Sequence, residues 1–140
     1  MRRVVVTGIG LLSSIGDNYK KTWQNLISGT SGIKLIDTFD TEDLSCKIAG
    51  YIEHNQNKKF YFDRLNFLDN KQIKRNDRFI QYGLIAAQMA IEDSGINLLS
   101  DQEKLKIGVS VGSGIGGLET IYDGSITLSQ RGSRKISPFF

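Results

Sequence analysis

Two short runs rich in β-branched residues, each leading straight into clustered glycines, constrain this chain most. Residues 3–7 (Arg-Val-Val-Val-Thr) lead into Gly8-Ile9-Gly10, and residues 106–111 (Lys-Ile-Gly-Val-Ser-Val) lead into Gly112-Ser113-Gly114-Ile115-Gly116-Gly117. Such runs predict strands buried on both faces, as in a parallel sheet, and the glycines predict tight turns after them. Between the runs the pattern becomes helical. Asp17 or Asn18 can cap a helix through about Ser28, with Trp23, Leu26 and Ile27 on one face and Gly29 as its stop. Asp69 can cap a short basic helix. A longer one is predicted over residues 77–94, with Phe79, Tyr82, Ile85, Ala86, Met89 and Ala90 on its apolar side and Gly95 at its end. Residues 118–128 predict another helix and residues 47–51 a short strand. Residues 30–50 are otherwise irregular, and residues 54–62 read as a loop. The alternation predicts an α/β fold with too few strands for a self-sufficient doubly wound sheet. A chain closing on Phe139-Phe140 without a polar terminator reads as interrupted.

Composition narrows the class. The 140 residues suit one domain or part of a larger one, and 39% hydrophobic with 24% charged residues is compatible with a packed core. A net charge of +3 is too small to argue for nucleic acid. Cys46 is the only cysteine, so no intrachain disulfide can form, and a reducing, cytoplasmic setting is expected. Met1-Arg2-Arg3 before the valines resembles the start of a secretion signal, but Thr7, Gly8 and Gly10 break the apolar run. No stretch approaches the ~20 apolar residues of a membrane span.

Four groups of residues carry chemical possibilities. Residues 7–10 begin like a dinucleotide fingerprint, but Ser13 stands where the third glycine belongs, and no acidic residue is placed to hold a ribose. Residues 112–117 formally satisfy G-x-G-x-x-G between a strand and a helix, which supports a nucleotide-binding α/β module as the alternative function. The plainer reading there is close backbone packing, with Ile115 presented to a neighbouring cavity. Lys71, Lys74, Arg75 and Arg78 fall three and four apart and form a basic stripe on one helix face. That stripe is either a solvated face or a landing surface for an acidic partner. Cys46 and His54 form no activated pair by sequence, and one Cys with one His excludes an ordinary zinc site.

In order along the chain, the opening RVVVTGIG, Thr22-Trp23, residues 29–33 (GTSGI), residues 37–40 (DTFD), residues 77–83 (DRFIQYG), Asp93-Ser94-Gly95, residues 112–117 (GSGIGG) and residues 134–140 (RKISPFF) resemble the elongating members of the β-ketoacyl-acyl carrier protein synthase family. The resemblance spans all 140 residues. It implies a thiolase-like fold of two duplicated α/β halves, with residues 1–140 forming an incomplete first half, a partial N-terminal domain. It also implies a homodimeric enzyme of fatty-acid synthesis that uses no cofactor. That enzyme condenses an acyl thioester with malonyl-acyl carrier protein by decarboxylative Claisen chemistry. The family's nucleophilic cysteine and two histidines fall beyond residue 140, so no catalytic residue is expected here, and Cys46 is not promoted to that role. The resemblance assigns Ile115 and Phe140 to the acyl pocket. It assigns Lys71, Lys74 and Arg75 to docking of the acidic carrier protein. Where one member of the family has arginine, Lys74 keeps the charge but loses the planar fork.

Overall fold

The computed structural model describes residues 2–136, which fall into two compact units. Among the described residues the first unit is residues 2–63 with 86–98, and the second is residues 64–85 with 99–136.

In the first unit, helix α1 (Tyr19–Ile27) starts at Asn18, whose side chain accepts from the Lys21 N–H at 3.0 Å. Strands β1 (Ile33–Leu35) and β2 (Ile48–Gly50) pair antiparallel, with Lys34 opposite Ala49. Strand β2 matches the expectation for residues 47–51, whereas β1 lies in a stretch predicted to be irregular. The hairpin is tied to the next segment by Lys34 Nζ, which reaches Glu53 Oε2 at 2.5 Å and stacks 3.8 Å from the Tyr51 ring centroid. Glu53 is buried, and its bonds to Lys34 and to the Asn55 N–H hold its carboxyl below the usual range. Ile15 and Phe62 are the buried apolar residues of this unit.

Helix α3 (Arg78–Ser94) runs through the boundary between the units, and its residues from Ala86 onward belong to the first. The amino-terminal glycines are explained there. A Cβ built on Gly10 would overlap the Ala86 carbonyl and lie 2.8 Å from the Ala90 nitrogen. One on Gly8 would collide with the Ala90 carbonyl and lie 2.6 Å from the Ser94 nitrogen. The Ile9 N–H donates to Asp93 Oδ2 at 3.0 Å. Gly8 and Gly10 are not positive-φ residues. They are required because a helix backbone passes against them, not because the chain turns sharply.

In the second unit, helix α2 (Asn70–Arg75) opens with a reciprocal capping box between Asp69 and Gln72. Helix α4 (Asp101–Lys104), beyond the elements expected from sequence, has the same device between Ser100 and Glu103. Helix α5 (Leu118–Arg131) runs about one turn past its expected end. Leu68 and Ile85 are buried in this unit.

Two expectations are corrected. Residues 3–7 and 106–111 belong to no strand among the described residues, and they are exposed rather than buried. Val4 is 92% exposed and Val109 87%. A β run becomes a strand only when a neighbour accepts and donates along its backbone, and neither run has such a pairing among the described residues. Trp23, Leu26 and Ile27, which share one face of α1, are exposed.

The packing against α3 gives a direct test. Gly10→Ala is expected to lower unfolding stability in urea by ~1–3 kcal/mol, the usual cost of overpacking. Gly83→Ala lies inside α3 with nothing within 4 Å of the added carbon, and is expected to be neutral or to stabilise by ~0.5–1 kcal/mol.

Candidate functional site

The expected docking residues stand on α2. Lys71, Lys74 and Arg75 are exposed, and neither lysine joins an ion pair among the described residues. Arg78 is not part of their stripe. Asn76 is extended (φ −106°, ψ 136°) and ends α2, so Arg78 begins a new helix and faces elsewhere. Its guanidinium forms a fork on Glu119, with Nε to Oε2 and Nη2 to Oε1 both at 3.2 Å.

The junction between α2 and α3 is held by Gln81, a polar residue only 3% exposed. Its Nε2 donates to the carbonyls of Ile73 at 3.0 Å and Asn76 at 2.6 Å, and its Oε1 accepts from Arg64 Nη1 at 2.7 Å. One amide thereby satisfies two carbonyls at the end of α2, where a helix leaves acceptors unpaired. Sequence reasoning misses Gln81, because a glutamine within an amphipathic pattern reads as solvent-facing.

The glycine turn meets this junction at its carboxyl-terminal end. Gly117 precedes α5 in the left-handed region (φ 66°), and a Cβ there would lie 3.4 Å from Asp77 Oδ2. The Thr120 hydroxyl donates to the same carboxylate oxygen. A Cβ on Gly116 would lie 2.6 Å from the Phe79 ring. These residues line an open groove of about 260 Å³, with Arg75 and Asp77 contributing alongside Gly116 and Thr120. From sequence, Asp77 is expected only to begin a helix. Its carbonyl does accept from the Gln81 N–H at 3.1 Å, while its side chain serves α5 instead.

A phosphate cradle does not result. The α5 N-terminus, where an anion would bind, already faces the Asp77 carboxylate and carries Glu119 in its first turn. Nothing lies within 4 Å of a Cβ placed on Gly112 or Gly114. Ile115 is 76% exposed and lines neither of the two described cavities. Phe140 lies outside the described residues.

Cys46 is exposed, and its thiol donates to the Ile48 carbonyl at 3.5 Å. His54 Nδ1 is 3.1 Å from the Phe62 carbonyl. Among the described residues no group of three His, Cys, Asp or Glu side chains could hold a metal ion, and no helix is long and apolar enough to cross a membrane.

The family model described as "Beta-ketoacyl synthase, N-terminal domain" matches residues 1–140. The chain belongs to the β-ketoacyl synthase family. It is 43% identical over 139 residues to the 3-oxoacyl-[acyl-carrier-protein] synthase 2 of Vibrio cholerae, covering 99% of this chain and 32% of that protein. The proteins of the same description from Rhizobium meliloti and Staphylococcus aureus are each 40% identical, over 140 and 139 residues, and are covered to 33% and 32%. The solved structure of the ishigamide ketosynthase/chain length factor superposes with a TM-score of 0.73 at 27% identity, covering 99% of this chain and 32% of that one. The mixed α/β architecture is thus that of a ketosynthase amino-terminal region, and the chain spans about a third of the length of these relatives.

The turn geometry separates the glycines of this β-ketoacyl synthase sequence. Gly117→Ala forces a side chain into the left-handed region and is expected to cost ~1–2 kcal/mol of unfolding stability. Gly114→Ala enters open space and is expected to change it by less than ~0.5 kcal/mol in the same denaturant titration.

Proposed function

We propose that this chain supplies the acyl-pocket and carrier-docking portion of a condensing enzyme of fatty-acid elongation. In that reaction an acyl group passes from the carrier's phosphopantetheine to a cysteine. Malonyl-carrier then loses carbon dioxide, and its carbanion attacks the thioester. The chemistry needs an activated thiolate, two histidines and an oxyanion hole. On this reading those groups lie in sequence beyond residue 140, and the chain by itself carries no condensing activity. Ile115 and Phe140 are assigned to the acyl pocket. A homodimer and a cytoplasmic setting belong to the same proposal, the second supported by the exposed, unbridged Cys46.

The observation that carries the docking assignment is the state of α2. Its capped helix presents Lys71 and Lys74 to solvent with no carboxylate neutralising either one among the described residues. Unpaired cations on a rigid face attract an acidic partner and speed its encounter.

Titration of the 140-residue chain with acyl carrier protein tests this. Lys71→Glu with Lys74→Glu is expected to weaken binding by about tenfold or more, with wild-type affinity falling as salt rises. Lys59→Glu, on the other unit, is expected to leave affinity unchanged. Equal affinity of the double variant and the wild type would contradict the docking assignment.

A further inference from the structure

We infer that Asp77, Arg78 and Phe79 form a clasp that fixes the glycine turn to the docking helix, so that a carrier seated on α2 moves the loop bearing Ile115. The inference rests on the docking assignment above. Its structural basis is that three consecutive residues each engage the segment around the α5 N-terminus. Phe79 packs on Gly116, Arg78 forks onto Glu119, and Asp77 accepts from Thr120 and faces Gly117.

The connection to α2 is as short as a chain allows. Only Asn76 separates Arg75 from Asp77, and the Asn76 carbonyl is one of the two that the buried Gln81 amide holds. The other is that of Ile73, within α2 itself. A shift of α2 therefore cannot be absorbed in a slack linker, and the clasp residues must follow. At the far end the contact falls on Gly116, where the absence of a side chain lets the Phe79 ring sit directly against the backbone. Arg75, one of the three docking cations, also lines the groove with Gly116 and Gly117.

Asp77 and Phe79 are accordingly positioning residues. They set where the glycine turn lies and hence where Ile115 is presented. Arg78 contributes less, because its ion pair with Glu119 is more than half exposed on both sides and is screened by water.

The test is an amide-shift titration of the isotope-labelled 140-residue chain with acyl carrier protein. Gly112 and Gly114 do not line the groove, so their response reports transmission rather than contact. In the wild type the amides of Lys71 and Lys74 and those of Gly112 and Gly114 are expected to move together along one binding curve. In Phe79→Ala with Thr120→Val, the lysine amides still move while the glycine shifts shrink by about threefold or more. Phe79→Tyr with Thr120→Ser keeps ring and hydroxyl, and is expected to keep the coupled response. Wild-type movement at α2 with stationary glycine amides would overturn the clasp and leave docking intact, and that outcome is read without any variant having to fold. No movement at α2 would overturn the docking assignment and the clasp with it.

Discussion

The contact of Asp77 with the start of α5 organises everything in the second unit that bears on function. A carboxylate at a helix N-terminus meets partial positive charge, and here it also accepts from the Thr120 hydroxyl. Because Asp77 follows so closely on the end of α2, the same residue decides how the basic helix leads into α3 and where the glycine turn ends. Phe79 against Gly116 adds a steric constraint to the electrostatic one. Gln81 completes the set by closing the carbonyls of α2. The site is therefore built from charge, a bare backbone and one buried amide, with little hydrophobic core.

The first unit relies on a different device. Gly8 and Gly10 let the amino-terminal segment lie against the backbone of α3, and the Lys34–Glu53 pair pins the hairpin. Neither unit covers its apolar surface. The valines of residues 3–7 and 106–111 are exposed and lie outside any strand pairing among the described residues.

Local rules are legible in the sequence wherever the partner is close along the chain. Asn18 capping α1, Asp69 capping α2, Gly95 ending α3 and the strand near residue 48 all depend on neighbours within a few residues. Family likeness is legible because many short motifs fall in one order. Features set at long range are not. Thr120 lies 43 residues from Asp77, and Asp77 already has a satisfactory role as a helix starter. Arg78 fits a helical stripe until Asn76 breaks the helix. The two β runs have strand character but no described neighbour with which to pair, and composition alone does not say which segment covers a strand. Ile115 carries an assignment from family likeness, while among the described residues it is largely exposed.

The most direct measurement is of through-space proton contacts in the 140-residue chain by nuclear Overhauser spectroscopy. The clasp requires cross-peaks from the Phe79 ring to the Gly116 α-protons, and an upfield shift of those protons by the ring current. Random-coil shifts at Gly116, with no contact to Phe79, would mean that the glycine turn is not held by the junction between α2 and α3, and the organisation described for the second unit would be wrong.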